Sequence, residues 1–154
     1  MPRRAWWPDG GADAAASAHL LQAFQEQGPF EGLLGFSEGA RAAQLACRLA
    51  LEGALAPPSF VVLCGAPRLP GLAAVALKSL HFAGRKDTVV PLEESRSCAE
   101  AFREAEWVEP WAQGLAALRN GLGSSKTSQI RCKSGRNRGK FKRSRAILAL
   151  DDSI

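Results

Sequence analysis

The sequence predicts an α/β fold in which a parallel sheet carries helices on its faces. Three observations predict it. Short apolar runs alternate with longer runs at helical spacing, Gly and Pro separate these runs, and a G-x-S-x-G pentapeptide joins the first strand-like run to a helix-like one. Strands that alternate with helices are typical of parallel sheets with right-handed crossovers. The 154 residues suffice for one domain, and a hydrophobic content of 46% suffices for a core.

The first three elements follow from apolar spacing and from Gly and Pro at their ends. Residues after Gly10 place alanines and leucines near helical spacing until Gly28-Pro29 interrupts the run. A short apolar run comes next, and an Ala-rich amphipathic run follows it up to Gly53. These patterns predict a helix at 11–27, a strand at 31–36 and a helix at 38–53.

The next elements are bounded by Pro-rich loops. The run SFVVLCG is apolar and β-branched, which favours a buried strand, and KSLHFAG is a second strand-like run. The run EESRSCAEAFREA is rich in helix-forming residues. We predict strands at 59–64 and 78–83 and a helix at 93–105, and therefore a sheet of three or so strands with an exposed apolar edge and face.

Composition divides the chain into a body, residues 1–110, and a divergent basic tail, residues 111–154. Residues 126–145 hold nine Lys and Arg residues and no acidic residue, whereas residues 1–125 hold 11 basic and 13 acidic residues. The net charge of +5 therefore reflects the tail. The tail has too little apolar content to bury itself, so we expect it to be disordered.

Cysteine and histidine patterns disfavour a metal site and a disulfide framework. The four cysteines form no CxxC pair and the chain has only two histidines, so we expect no metal and no cofactor. Cys47 and Cys64 lie in apolar runs and are expected to be buried, reduced thiols. No apolar run approaches a membrane span and no secretory signal is recognisable, so we expect no membrane partner.

The pentapeptide Gly35-Phe36-Ser37-Glu38-Gly39 predicts a nucleophilic serine. A sharp strand-to-helix turn presents such a hydroxyl at the carboxyl edge of the sheet, and Gly35 and Gly39 leave room for the turn. The backbone N–H of Glu38, at the helix N-terminus, can then point at a developing oxyanion. The same pentapeptide also arises by chance in loops, so the strand and helix around it carry the prediction.

Asp87 is the candidate acid that would orient a base. It follows the predicted strand 78–83 and comes after Ser37 in the order Ser, then Asp or Glu, then His. A turn-capping role is the alternative for an Asp in GRKDTVV.

Three segments together resemble the FSH family of serine hydrolases: PFEGLLGFSEGA, FVVLCGAPRLP and SLHFAGRKDTVVPLEESRSCAEAF. AWWPDG is similar to a tryptophan-containing segment of that family, and the resemblance covers residues 5–103. It implies a partial α/β-hydrolase fold, an esterase-like activity in cytosol and nucleus, Ser37 as nucleophile and Asp87 as the triad acid.

The chain departs from the family pattern in two respects that concern catalysis. The family has strands before the segment that corresponds to this chain, and one of them carries the loop that completes the oxyanion hole. The family also places its catalytic histidine after the last strand, but no histidine follows His81 here. We expect His81 to be buried within the sheet and His19 to lie on a helix, so no catalytic histidine is identified.

Two functions follow as hypotheses. The first is hydrolysis of a small-molecule acyl ester by an FSH-type serine hydrolase, impaired in this chain because the histidine is missing. The alternative is a non-catalytic pseudo-hydrolase or interaction protein whose basic tail binds nucleic acid through salt-sensitive phosphate contacts. The tail holds one aromatic residue, Phe141, in its basic stretch, which disfavours base stacking and therefore the alternative.

Overall fold

The structure, a computed structural model, describes residues 6–7, 13–109, 128–131 and 146–150. Within them, three helices and six strands alternate along most of the chain. The elements are α1 (Asp13–Gln27), β1 (Gly32–Phe36), α2 (Glu38–Leu51), β2 (Phe60–Cys64), β3 (Val75–Phe82), α3 (Leu92–Ala99), β4 (Phe102–Val108), β5 (Ser128–Arg131) and β6 (Ala146–Leu150).

The strands form one sheet in the order β4-β3-β2-β1-β6-β5. All neighbours are parallel except β5, which runs antiparallel to β6 at one edge. Phe36, Cys64 and Phe82 are register partners, so β1, β2 and β3 end level with one another. The loops that follow these three strands therefore meet at the carboxyl edge of the sheet, where open α/β sheets bind their ligands.

Helix α2 packs on the central strands and forms the middle of the core. Its small side chains, including the fully buried Ala42, Ala43 and Ala46, allow the helix to approach β1 and β2 closely. Leu33 of β1 and Leu63 of β2 are fully buried on the sheet. Helix α1 packs on α2, and an Asp13–Arg48 ion pair joins the two helices. This ion pair joins the start of α1 to the last turn of α2.

The predicted parallel sheet with flanking helices is confirmed, and the two long helices and first two strands lie within two or three residues of their predicted bounds. The predicted helix at 93–105 is wrong beyond residue 99. Residues 102–108 form β4, which pairs with β3 despite the helix-forming residues in FREAEWV. Backbone pairing with the open edge of β3 outweighs the weak local preference of these residues for a helix.

The sheet is also wider than the three or so strands predicted. Two segments of the predicted tail, β5 and β6, are strands, and β6 pairs with β1. Disorder was therefore the wrong prediction for 128–131 and 146–150. The rest of the predicted tail lies outside the described residues, and there disorder stays a prediction.

Two negative findings concern the described residues alone. No helix in that part of the chain is both long and apolar enough to span a bilayer. Likewise, the described ranges bring together no group of three His, Cys, Asp or Glu side chains that could hold a metal ion.

Candidate functional site

Ser37 lies alone between the end of β1 and the start of α2, in a strained backbone conformation. Its φ of 51° and ψ of −115° make it the one non-glycine residue with positive φ among the described residues. The Ser37 N–H donates to the Cys64 carbonyl at 2.9 Å, and the Ser37 carbonyl accepts from Ala40 N at 3.0 Å. Such a conformation costs about 1–3 kcal/mol and persists only where surrounding contacts hold it, as they do here.

The turn requires glycine at position 35 for steric reasons. A Cβ on Gly35 would stand 2.5 Å from Ala40 Cα and 2.6 Å from the Gly39 carbonyl oxygen. Both are backbone atoms at the start of α2, so no side-chain rotation could relieve the overlap. Gly39 itself is buried in the first turn of α2. The strand can therefore fold directly into the helix only if residue 35 has no side chain.

The first turn of α2 is covered by the tryptophans near the start of the chain. Trp6 and Trp7 are both buried, and Trp6 N donates to Glu38 Oε2 at 3.4 Å. The Arg41 guanidinium lies 4.3 Å from the centre of a Trp7 ring, which in turn donates from Nε1 to Asp13 at 2.8 Å. The sequence pointed to this segment only through family resemblance. Its contact with the helix turn beside Ser37 depends on α1 and α2 being packed together.

Asp87 lies in the loop after β3, at the same edge of the sheet as Ser37. Its Oδ1 accepts from Val89 N at 2.9 Å and from Val90 N at 3.0 Å, and these bonds fix the carboxylate. Its Oδ2 lies 3.3 Å from where a Cβ on Gly65 would stand. Gly65 is the next residue after Cys64, the acceptor for Ser37 N. The structure therefore places both predicted residues next to the end of β2, Ser37 through its N–H at Cys64 and Asp87 through its carboxylate at Gly65.

The Asp87 loop is anchored by Glu109, whose carboxylate accepts three side-chain hydrogen bonds. Glu109 accepts from Arg85 at 2.7 Å, from Arg96 at 3.1 Å and from the Trp107 indole at 3.1 Å. Arg85 belongs to the Asp87 loop and Arg96 to α3, so Glu109 holds both against the end of β4. The hydrogen bond from Arg85, with those from Trp107 and Arg96, lowers the pKa of Glu109 to about 2. A carboxylate with so low a pKa is a poor base.

Neither histidine of the chain lies in this arrangement. His81 is buried in β3, where its Nε2 shares a hydrogen bond of 2.9 Å with Ser79 Oγ and its ring meets Phe102 edge-on. Burial lowers the pKa of His81 to about 4. His19 is exposed on α1. No hydrogen bond joins either ring to Ser37 or Asp87 in the part of the chain that the structure describes.

The carboxyl edge thus holds a strained serine, a helix N-terminus and an aspartate with one oxygen fixed by backbone amides. A hydroxyl at such a turn can approach a carbonyl carbon, and the N-terminal N–H groups of α2 favour a developing negative charge. The chemistry still needs a base, because a serine hydroxyl is a weak nucleophile without one.

A family model described as serine hydrolase (FSH1) matches residues 4–114, which include every residue of this site. The chain is also similar to Esterase CG5412 of Drosophila melanogaster, with 34% identity over 129 residues that cover 70% of this chain and 46% of that protein. It is 40% identical to Esterase OVCA2 of Homo sapiens over 93 residues, which cover 54% of this chain and 41% of that protein. The chain thus spans less than half the length of these two relatives.

The fold has a counterpart among solved structures. The structure of RedJ, which holds a PEG molecule in its active site, matches 71% of this chain and 68% of its own with a TM-score of 0.51. The sequence identity is 12%, so this likeness concerns the fold alone.

Proposed function

The chain belongs to the FSH1 serine hydrolase family, and from this premise we propose that its site acts on acyl esters through Ser37. The observation that carries the proposal is the strained backbone of Ser37, whose φ is 51° at the turn between β1 and α2. The esterases to which the chain is similar support an ester of a small molecule as the substrate class.

In the proposed reaction, Ser37 Oγ attacks the ester carbonyl carbon and its proton passes to an imidazole. The backbone N–H of Glu38, at the start of α2, binds the oxyanion. Asp87 holds the imidazole in the orientation and tautomer that accept the proton. The alcohol leaves with that proton, and water then releases the acyl group from Ser37 by the same path in reverse.

Hydrolysis by this chain is proposed to be impaired, because neither of its histidines serves as the base. The loss of one triad member costs about 10⁴-fold in rate, although oxyanion binding alone retains some catalysis. Glu109 does not replace the base, since its pKa is about 2 and it is held by three donors.

The first test is the turnover of p-nitrophenyl butyrate by the purified chain beside Ser37→Ala. We expect the unmodified chain to exceed the variant by no more than a few-fold. A rate far above that of Ser37→Ala would contradict the impairment and reveal a base within the chain.

A fluorophosphonate probe tests the serine separately from turnover, since it reports covalent reaction at the nucleophile. Because no base of the chain activates the hydroxyl, the expected result is a slow adduct at the Ser37 peptide that is absent from Ser37→Ala. Failure to label would favour the alternative function, a non-catalytic protein whose nine-cation stretch at 126–145 contacts nucleic acid. Family membership and three buried free cysteines support the further proposal that the chain acts in cytosol or nucleus.

A further inference from the structure

Gln44 is a fully buried polar side chain on α2, and the proposed reaction does not use it. Its Nε2 donates to the Pro67 carbonyl at 2.8 Å and to the Ala40 carbonyl at 3.2 Å, and its Oε1 accepts from Leu69 N at 2.9 Å. An apolar side chain of similar volume could fill the same space, but it could not donate to one backbone group and accept from another. The amide therefore binds α2 to the backbone of the loop that follows β2.

This loop, residues 65–74 and called the β2–β3 loop below, starts beside both predicted site residues. Ser37 N donates to the carbonyl of Cys64, the last residue of β2. Gly65 comes next, and a Cβ there would lie 3.3 Å from Asp87 Oδ2. A displacement of the first residues of the loop therefore changes the backbone contact of Ser37 and the surroundings of the Asp87 carboxylate together.

Helix α2 and the chain that leaves β2 are joined at two separate places. The first is the hydrogen bond from Ser37 N to Cys64, immediately before α2 begins. The second is Gln44, seven residues after Ser37 and therefore about 10 Å farther along the helix axis. With one attachment the loop could pivot about the end of β2, whereas two attachments fix its direction relative to the helix.

Apolar burial also holds the β2–β3 loop, but it does not define the position of the backbone as closely. Ala66 and Leu69 are both buried. Their burial is favourable without a preferred direction, whereas the hydrogen bonds of Gln44 constrain both distance and angle. Pro67 lies two residues after Gly65, so this constraint reaches the contact with Asp87.

We propose that Gln44 is a positioning residue for the reaction at Ser37. This inference rests on the proposed function. Gln44 acts through the backbone of Pro67 and Leu69, which fixes the start of the β2–β3 loop, and that in turn fixes the Cys64 carbonyl that holds Ser37 N. The strained turn then keeps the geometry in which Ser37 Oγ attacks a carbonyl carbon and the N–H groups of α2 bind its oxygen.

The test is the change Gln44→Met, which keeps a flexible side chain of similar length but removes all three hydrogen bonds. Fluorophosphonate labelling of Ser37 is followed in the full chain at several probe concentrations, under conditions where urea unfolding shows that both proteins are folded. We expect the labelling rate at saturating probe to fall at least about threefold, because a misplacement of about 1 Å can cost about 10²-fold. The probe concentration that gives half of this rate should stay unchanged, because Gln44 does not bind the probe.

Two control variants separate this effect from the substitution itself. Gln22→Met makes the same change at an exposed position of α1, where Gln22 donates to Glu26, and it should retain the labelling rate. Arg68→Met removes the exposed hydrogen bonds from the β2–β3 loop to Ser97. It should also retain the rate, because water replaces exposed hydrogen bonds at little cost.

Amide hydrogen exchange, measured by NMR for each residue, gives a readout that a general loss of stability would not produce. In Gln44→Met, exchange should become faster at Leu69 N–H, which loses its acceptor, and at Ser37 N–H, which the Cys64 carbonyl holds. Amides in the ladder between β1 and β2 should keep their exchange rates. A residue that only stabilised the core would accelerate exchange in all of these amides.

The inference requires both slower labelling and faster exchange confined to the loop and the turn. A labelling rate equal to that of the unmodified chain would overturn it, although adduct at Ser37 would leave the proposed function standing. Faster exchange throughout the sheet would also overturn it, because Gln44 would then act on stability alone. If the unmodified chain forms no adduct, the proposed function fails, and the role of Gln44 in that reaction fails with it.

Discussion

The change Gly35→Ala is expected to destabilise the fold by about 3 kcal/mol, the upper part of the range for overpacking a core. The new methyl carbon would stand 2.5, 2.6 and 2.8 Å from Ala40 Cα, the Gly39 carbonyl oxygen and Ala40 N. All three are backbone atoms, so β1 and α2 must move apart to relieve the overlap. That movement also loosens the turn at Ser37, which the Cys64 carbonyl holds at 2.9 Å.

A matched control isolates the steric part of this cost. Gly53 has a φ of +79° and nothing within 4 Å of its Cβ position, so Gly53→Ala adds backbone strain without contact. Its expected cost is about 1 kcal/mol. Urea unfolding at 25 °C measures both variants, with the slope against urea checked to be unchanged. If Gly35→Ala destabilises the chain no more than Gly53→Ala does, the close approach of β1 and α2 is refuted.

Two further predictions concern buried titratable groups. Burial lowers the pKa of His81 in the folded chain from 6.5 to about 4. Between these two pH values the unfolded chain therefore binds a proton on His81 that the folded chain does not. The free energy of unfolding is expected to fall by about 3 kcal/mol as the pH drops from 6.5 to 4. Urea unfolding between pH 6.5 and 4 measures this loss of stability, and the stability of His81→Gln should depend less on pH. An equally steep loss of stability in His81→Gln would show that other groups cause it. Burial also raises the pKa of Cys47, Cys64 and Cys98 to about 12, 11 and 12, so iodoacetamide at pH 8 should leave these thiols unmodified in the folded chain and alkylate them in 6 M guanidinium. Peptide mass spectrometry reads each site, and rapid alkylation without denaturant would contradict their burial.

The elements near the serine were predictable because local chemistry fixes them. Apolar runs bounded by Gly and Pro give β1 and β2 within a residue of their observed bounds, and the Ala-rich stripe gives α2. Gly35 was also singled out from the sequence. The atoms it avoids, in Gly39 and Ala40, belong to the same short stretch of chain, so a local pattern contained the constraint.

The arrangement around Asp87 was only half predictable. Chain order predicts that it follows β3, but its approach to Gly65 depends on the level register of β2 and β3. The anchoring of its loop by Glu109 joins residues from three elements and has no signature in local sequence. Long-range contacts of this kind follow from sheet order, which propensities do not specify.

The strand β6 shows why composition misled the prediction of the tail. The run AILAL follows a stretch with nine Lys and Arg residues. When the composition of the whole tail is averaged, the apolar run is hidden and the tail has the composition of a disordered segment. The reason that β6 forms lies instead in β1. The backbone N–H and C=O groups of β1 point to both sides, so β1 needs a second neighbouring strand besides β2. Unpaired groups on a strand so deeply buried would cost the free energy of lost hydrogen bonds. Pairing from Gly32 with Ile147 to Gly35 with Leu150 satisfies that second edge, and Leu148 is fully buried beside Leu33. A five-residue apolar run therefore joins the sheet because a central strand needs a partner on each side.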